Sequence, residues 1–157
     1  MEENYHSAIP SSILSRPGTL RYGSAMPRLS LLGRKASVPA NPSLARLETF
    51  PNPKPGRPYE ITFSTSEFTS LCPVTGQPDF ATITIRYIPK KKCVESKSLK
   101  LYLHSFRNTG SFAEAVTNRI LDDLVRAISP AHAVVTGEFA ARGGVALKVS
   151  ASFGKTH

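Results

Sequence analysis

From Pro58 onward, apolar and polar positions fall into two alternations, two helical stripes and then two further alternations. In PYEITFSTSEF, Tyr59, Ile61 and Phe63 alternate with Glu60, Thr62 and Ser64, the period of a half-buried strand. FATITIRYI repeats that period through Ala81, Ile83, Ile85 and Tyr87, and Pro89 with the lysines behind it ends the strand. In SLKLYLHSF, Leu99, Tyr102, Leu103 and Phe106 share one helical face, although Leu99, Leu101 and Leu103 would also suit a strand. Asn108, Thr109 and Gly110 interrupt the pattern. SFAEAVTNRILDDLVRAIS then sets Phe112, Val116, Ile120, Leu124 and Ile128 four apart, an amphipathic helix stopped by Pro130. Ser111-Phe112-Ala113-Glu114 fits the S-x-x-E capping box at its start. AVVTGEF and VALKVSASF close the chain as an antiparallel hairpin around Ala141 to Gly144. This order predicts an α+β domain, with two helices packed on one face of an antiparallel sheet.

The first 58 residues differ in kind. They hold nine of the 13 prolines, many serines and little apolar periodicity. We expect residues 1–49 to form an arm, partly disordered or packed on a neighbouring subunit, and residues 50–157 to form the folded domain. A length of 157 residues and 40% hydrophobic content suit one domain with one core.

The net charge of +9 raises the question of nucleic acid. More than half of it, five charges, comes from residues 1–58, with eight basic side chains against three acidic. Lys90-Lys91-Lys92 is the one basic run of the remainder and reads as a solvated turn, so direct tRNA binding is not expected. No apolar run approaches the roughly 20 residues of a membrane span. MEENYHSAIPSSIL begins acidic and does not read as a secretory signal, so we expect a cytoplasmic protein. Two cysteines and four scattered histidines argue against a disulfide framework and a structural zinc.

Cys72 stands out because it lies in a loop built from Pro73, Gly76 and Pro78. A thiolate nucleophile needs an exposed or cationic setting, which such a loop provides, and Asp79 begins the next strand within reach of the loop mouth. By local sequence alone, a cysteine near an aspartate is more often uninvolved in catalysis. Cys93 looks structural. Glu95-Ser96-Lys97-Ser98-Leu99-Lys100 reads either as a solvated, ion-paired helix face or as a phosphate site at a helix start. Glu114 serves the capping box or accepts hydrogen bonds from a purine-like base.

Taken together, FPNP at 50–53, EFTSLCPVTGQPDFATI at 67–83, VESKSLKLYLHSFRN at 94–108 and RGG at 142–144 closely resemble the single-module 7-cyano-7-deazaguanine reductases of queuosine biosynthesis. The resemblance runs from about Phe50 to Gly144. It implies a tunnelling fold, with sheets of several subunits closed into a barrel, a decamer of two pentameric rings and active sites at subunit interfaces. It implies that Cys72 attacks the nitrile of 7-cyano-7-deazaguanine to give a thioimide, that Asp79 donates the proton, and that NADPH delivers hydride twice. Val94, Glu95, Ser96, Ala113 and Glu114 match positions that bind substrate. Lys97, Ser98, Lys100 and Arg142 match positions tied to NADPH.

The departures are local. Where the family reads RNHGDFHED, this chain reads RNTGSFAEA, so Thr109, Ser111 and Ala113 replace the two histidines and the first of the two aspartates. Val116 stands where many members have a second cysteine, so no disulfide with Cys72 is expected. Two other readings follow from those changes. One is a non-reductive amidinotransferase that resolves the same thioimide with ammonia on tRNA. The other is a deazaguanine-binding homologue with impaired catalysis. The intact ESKSLKLYL run favours the reductase.

Overall fold

The computed structural model describes residues 29–31, 33 and 35–155, so most of the expected arm lies outside the described residues. The two alternating stretches form long paired strands, β2 (Ile61–Leu71) and β3 (Pro78–Ile88), joined by the Cys72 loop. The strands β5 (His132–Arg142) and β6 (Val145–Phe153) form the closing hairpin through a two-residue Gly143–Gly144 turn. Together they make an antiparallel sheet in the order β2-β3-β5-β6. Two short strands, β1 (Thr49–Pro51) and β4 (Lys92–Val94), pair separately. Three residues are too few to show a period, and their pairing spans about forty positions, so the sequence pattern did not reveal them.

The two helical stripes become α1 (Ser96–His104), prolonged by a 3-10 turn over Ser105–Asn108, and α2 (Ala113–Ile128). Both pack on the same face of the sheet. There Ala81, Ile83, Ile85 and Tyr87 of β3 meet Leu99, Tyr102, Leu103 and Phe106, together with Val116, Ile120, Leu124 and Ile128. Leu101 is buried as well, which explains why this run also satisfied strand alternation. Phe106 lies edge-on to Tyr102 and tilted against Phe68, with ring centroids 5.3 and 5.5 Å apart. The opposite face of the sheet is polar, carrying Ser64 beside Thr84, Thr136 beside Ser150, and a Lys148–Glu138 ion pair of 2.8 Å.

Two expectations change in the folded chain. Phe112 leaves the apolar stripe of α2, being 60% exposed as the residue that precedes the helix. The Ser111 capping box does not form: α2 starts without a side-chain cap. The reason is tertiary. The Ser111 amide donates to the Leu71 carbonyl at 3.0 Å and the Leu71 amide to the Thr109 carbonyl at 3.0 Å, so this segment is drawn into a bridge with the end of β2. The described part of the arm also packs inward: Asn41 caps a 3-10 turn at Pro42–Leu44, and Ala45 and Leu47 touch the core.

Gly137, at the centre of β5, admits α2 closely. A Cβ placed there would lie 2.7 Å from the Phe139 ring and 2.9 Å from Thr117 Oγ1. Thr117 is held by its own bond to the Ala113 carbonyl, so it cannot simply turn away. Gly137→Ala is therefore expected to lower stability by about 1–3 kcal/mol through overpacking, read as a reduced urea midpoint with an unchanged denaturant slope.

Candidate active site

The loop after β2 answers why a cysteine sits among turn residues. The Cys72 amide donates to the Gln77 carbonyl at 2.8 Å, continuing the β2–β3 ladder by one step. The Gly76 amide turns back onto the Cys72 carbonyl at 2.9 Å, which requires the left-handed φ of 69° that glycine accepts without strain. The tight turn directs the Thr75 hydroxyl and the Thr75 and Val74 amides onto the Cys72 sulfur. These donors, led by the Thr75 hydroxyl and assisted by the positive charge of Arg142, lower the thiol pKa to about 7. Thr75 was not singled out from the sequence. Its signal was a hydroxyl three residues after the cysteine within a turn, a short-range arrangement that side-chain-to-backbone bonding makes common.

Asp79 occupies the second position of β3, and Arg142, the last residue of β5, reaches across to it. Arg142 Nη2 lies 2.8 Å from Asp79 Oδ1 and donates to the Pro78 carbonyl at 2.9 Å. The guanidinium thus fixes both the acid and the base of the Cys72 loop. The Leu71–Gly110 bridge brings the start of α2, with half-buried Ala113 and exposed Glu114, to the same end of the sheet. A Cβ at Gly110 would stand 3.4 Å from Pro73 Cα, which shows how near the two segments run. Cys72, Asp79, Arg142, Ala113 and Glu114 therefore gather at one end.

Val94 and Glu95 lie toward the other end, and α1 runs back from there along the sheet. The Val94 amide donates to the Tyr87 hydroxyl at 3.1 Å, and Tyr87 is eight residues along β3 from Asp79, about 26 Å at the rise of a strand. Glu95 is buried and caps α1, accepting from the Lys97 amide at 2.8 Å and the Ser98 amide at 2.7 Å. The Lys97 and Ser98 amides of this helix start are already taken by the Glu95 carboxylate, while Ser96 and Lys100 face solvent. Ser98 is equally committed: its hydroxyl donates to the Glu95 carbonyl at 2.8 Å and accepts from the Glu48 amide at 3.0 Å. Lys100 is exposed at the rim of a cavity of about 250 Å³, which Ser96, Leu99, Leu103, His104 and Glu67 also line. Lys97 Nζ donates to the Leu31 carbonyl at 2.6 Å, and Glu48 accepts from the Ser30 and Leu31 amides, so the arm lies against this end.

Cys93 is the counterexample to Cys72. It is 1% exposed, lies 3.7 Å from the Tyr59 hydroxyl, and burial pushes its thiol up. Among the described residues no group of His, Cys, Asp or Glu is arranged to hold a metal, and no helix is long and apolar enough to cross a membrane.

The family model described as QueF-like protein matches residues 78–157. The chain is 61% identical over 118 residues to the NADPH-dependent 7-cyano-7-deazaguanine reductase of Anaeromyxobacter sp. (strain K), covering 75% of this chain and 96% of that protein. It is 57% identical over 118 residues to the protein of the same name from Thiobacillus denitrificans (strain ATCC 25259 / T1), covering 75% and 84%. In fold it is similar to the crystal structure of the archaeosine synthase QueF-Like in the apo form. That match has a TM-score of 0.59 at 23% identity and covers 64% of this chain and 99% of that one.

The two thiols should separate cleanly in solution. Alkylation with iodoacetamide is expected to modify Cys72 alone in the folded protein, with a rate that rises through a midpoint near pH 7. Thr75→Val should move that midpoint upward, because the largest lowering influence is lost. Mass mapping after labelling, before and after denaturation, checks both outcomes.

Proposed function

The chain belongs to the QueF-like protein family, and from that premise we propose that it is an NADPH-dependent nitrile reductase. It takes 7-cyano-7-deazaguanine to 7-aminomethyl-7-deazaguanine, in the supply of queuosine to tRNA. The fold is of the tunnelling type shared by that family. The observation that carries the reading is the Cys72 loop. It presents a thiol lowered to about 7 beside an Arg142-anchored carboxyl, in a chain that aligns with nearly the whole length of a relative bearing that name.

A nitrile carbon is electrophilic and needs both a nucleophile and a proton for its nitrogen. Cys72 Sγ adds to that carbon, and Asp79 delivers a proton to the nitrogen as the C–N triple bond becomes double, leaving a thioimide. Bound NADPH would supply the hydride for each of the two reductions of that carbon. Once the first has been delivered, the C–S bond breaks, its electron pair returns to Cys72 Sγ, and the substrate is released from the thiol as an imine. Asp79, reprotonated from solvent, gives the second proton to the nitrogen as the aminomethyl group is completed. Arg142 orients Asp79 throughout and keeps the loop base closed. Glu114, exposed at the start of α2, is the carboxylate for the N–H edge of the deazaguanine. Ala113 carries only a methyl, so Asp79 is the proton donor at this end of the site.

For NADPH the residues fit in part. Lys97 and Lys100 offer cations for phosphate at the surface of α1, with the Ser96 hydroxyl beside them, whereas Ser98 and Glu95 are turned inward and hold the helix start. Arg142 is committed to Asp79, and we assign it to the acid rather than to the cofactor.

Val94 and Glu95 stand at the far end of β3 from Asp79. We infer that each active site combines the Cys72 end of one subunit with the Val94–Lys100 end of another. The free edges of β2 and β6 support this arrangement. Both are long, and β6 exposes Val145, Leu147 and Phe153, an edge that a neighbouring strand would cover. The polar face of the sheet would then line a wet lumen, as a barrel of two pentameric rings requires.

Mixing the protein with NADPH and 7-cyano-7-deazaguanine is expected to consume two NADPH per aminomethyl product, with no turnover by Cys72→Ala. A thioimide adduct without NADPH consumption would instead point to the ammonia-dependent reaction, and neither signal would leave a binding protein. Inactive Cys72→Ala and weakened Lys100→Ala chains, co-assembled, should recover activity beyond the sum of the two alone. No recovery would place the whole site in one subunit.

A further inference from the structure

Ser70 carries the one described side-chain hydroxyl that is buried and without a hydrogen-bond partner. It is 1% exposed and so closed off from bulk solvent. Native proteins rarely leave such a group unpaired, and an exception calls for a cause. The strand register identifies the neighbour. Ser70 is directly opposite Asp79, as Phe68 is opposite Ala81, so both side chains point to the helix-covered face. Cys72 follows two residues later, where the Cys72–Gln77 bond continues the same ladder and the same alternation. An unpartnered hydroxyl therefore lies between the nucleophile and the acid, one cross-strand step from the carboxyl.

In the structure Asp79 leans instead on Arg142, through Oδ1 at 2.8 Å. A guanidinium can only donate, so it suits one protonation state of the carboxyl. A serine hydroxyl can donate or accept. We propose that Ser70 is a positioning residue for Asp79, its hydroxyl bonding the carboxyl oxygen that Arg142 leaves free, accepting when the acid is protonated and donating once the proton has gone. This rests on the reductase reading and deepens it. The charged and titratable groups at this end of the sheet are Arg142 from β5, Cys72 from the end of β2 and Glu114 from the start of α2, and a change at Ser70 alters none of their side chains.

Ser70→Ala, with Ser70→Gly as a second hydroxyl-free variant should alanine fail to fold, tests this against a purely structural role. We expect kcat to fall roughly tenfold with KM little changed, as loss of orientation predicts. The acid limb of the kcat–pH profile should move, while Ser70→Thr, which keeps the hydroxyl, should retain both rate and profile. An unchanged rate and profile in Ser70→Ala, with active wild type, would overturn the proposal and leave the reductase standing. A wild type without turnover would sink the reductase reading. The positioning role would then be decided by carbon-13 titration of the Asp79 carboxyl, where equal midpoints in wild type and Ser70→Ala overturn it.

Discussion

The antiparallel register of β2 on β3 sets the geometry on which the chemistry depends. Pairing Leu71 with Pro78 leaves six residues to reverse the chain. That is short enough for the amides and hydroxyl of the turn to fold back onto the Cys72 sulfur. The same register puts Asp79 on the helix-covered face, where Arg142 at the end of β5 can reach it. A slip of one residue would send Asp79 to the polar face and put Phe80 in its place opposite Ser70. The core prevents that slip, because Ala81, Ile83, Ile85 and Tyr87 would all turn outward together.

One chain holds its two cysteines in opposite states by the same physics. Cys72 is exposed to donors at a turn, which favours the charged form. Cys93 is enclosed behind β4 beside Tyr59 and Tyr87, whose hydroxyls are pushed up to about 12, in each case with burial as the largest influence. The hydroxyl of Tyr59 beside the thiol does not offset that burial. Reactivity is thus allotted by backbone geometry at one site and by dryness at the other.

The strands that make the domain rigid also keep its functional residues apart. Eleven-residue strands place the Cys72 loop and the Val94–Glu95 segment at opposite ends, and among the described residues no strand pairs with the outer edges of β2 and β6. An assembly that pairs those strands would satisfy the edges and bring the two ends together in one step. The arm adds a local feature. Leu31 and Ser30 are tied to Lys97 and Glu48, and burial that would raise the Glu48 carboxyl is outweighed by the hydrogen bonds from Ser30 and Leu31, which hold it below its usual value. That end of the protomer is therefore partly roofed by the chain's own N-terminal segment.

Elements with many repeats of a period were legible from the amino acids alone. The β3 alternation, the α2 stripe from Val116 to Ile128 and the closing hairpin each sum several independent apolar positions, so one exception does not hide them. Cys72 and Asp79 were legible because both sit in one continuous motif. What depended on distant partners was not. Ser111 looked like a helix cap until the end of β2 claimed its amide. Glu95 and Ser98 looked like surface chemistry until the helix start and Glu48 used them. Ser70 looked like any strand serine until the register put it opposite Asp79. A side chain's type and neighbours along the chain determine what it can bond. Only the tertiary structure decides which partner arrives, because a group's bonding capacity is taken up by whatever the packing brings within reach.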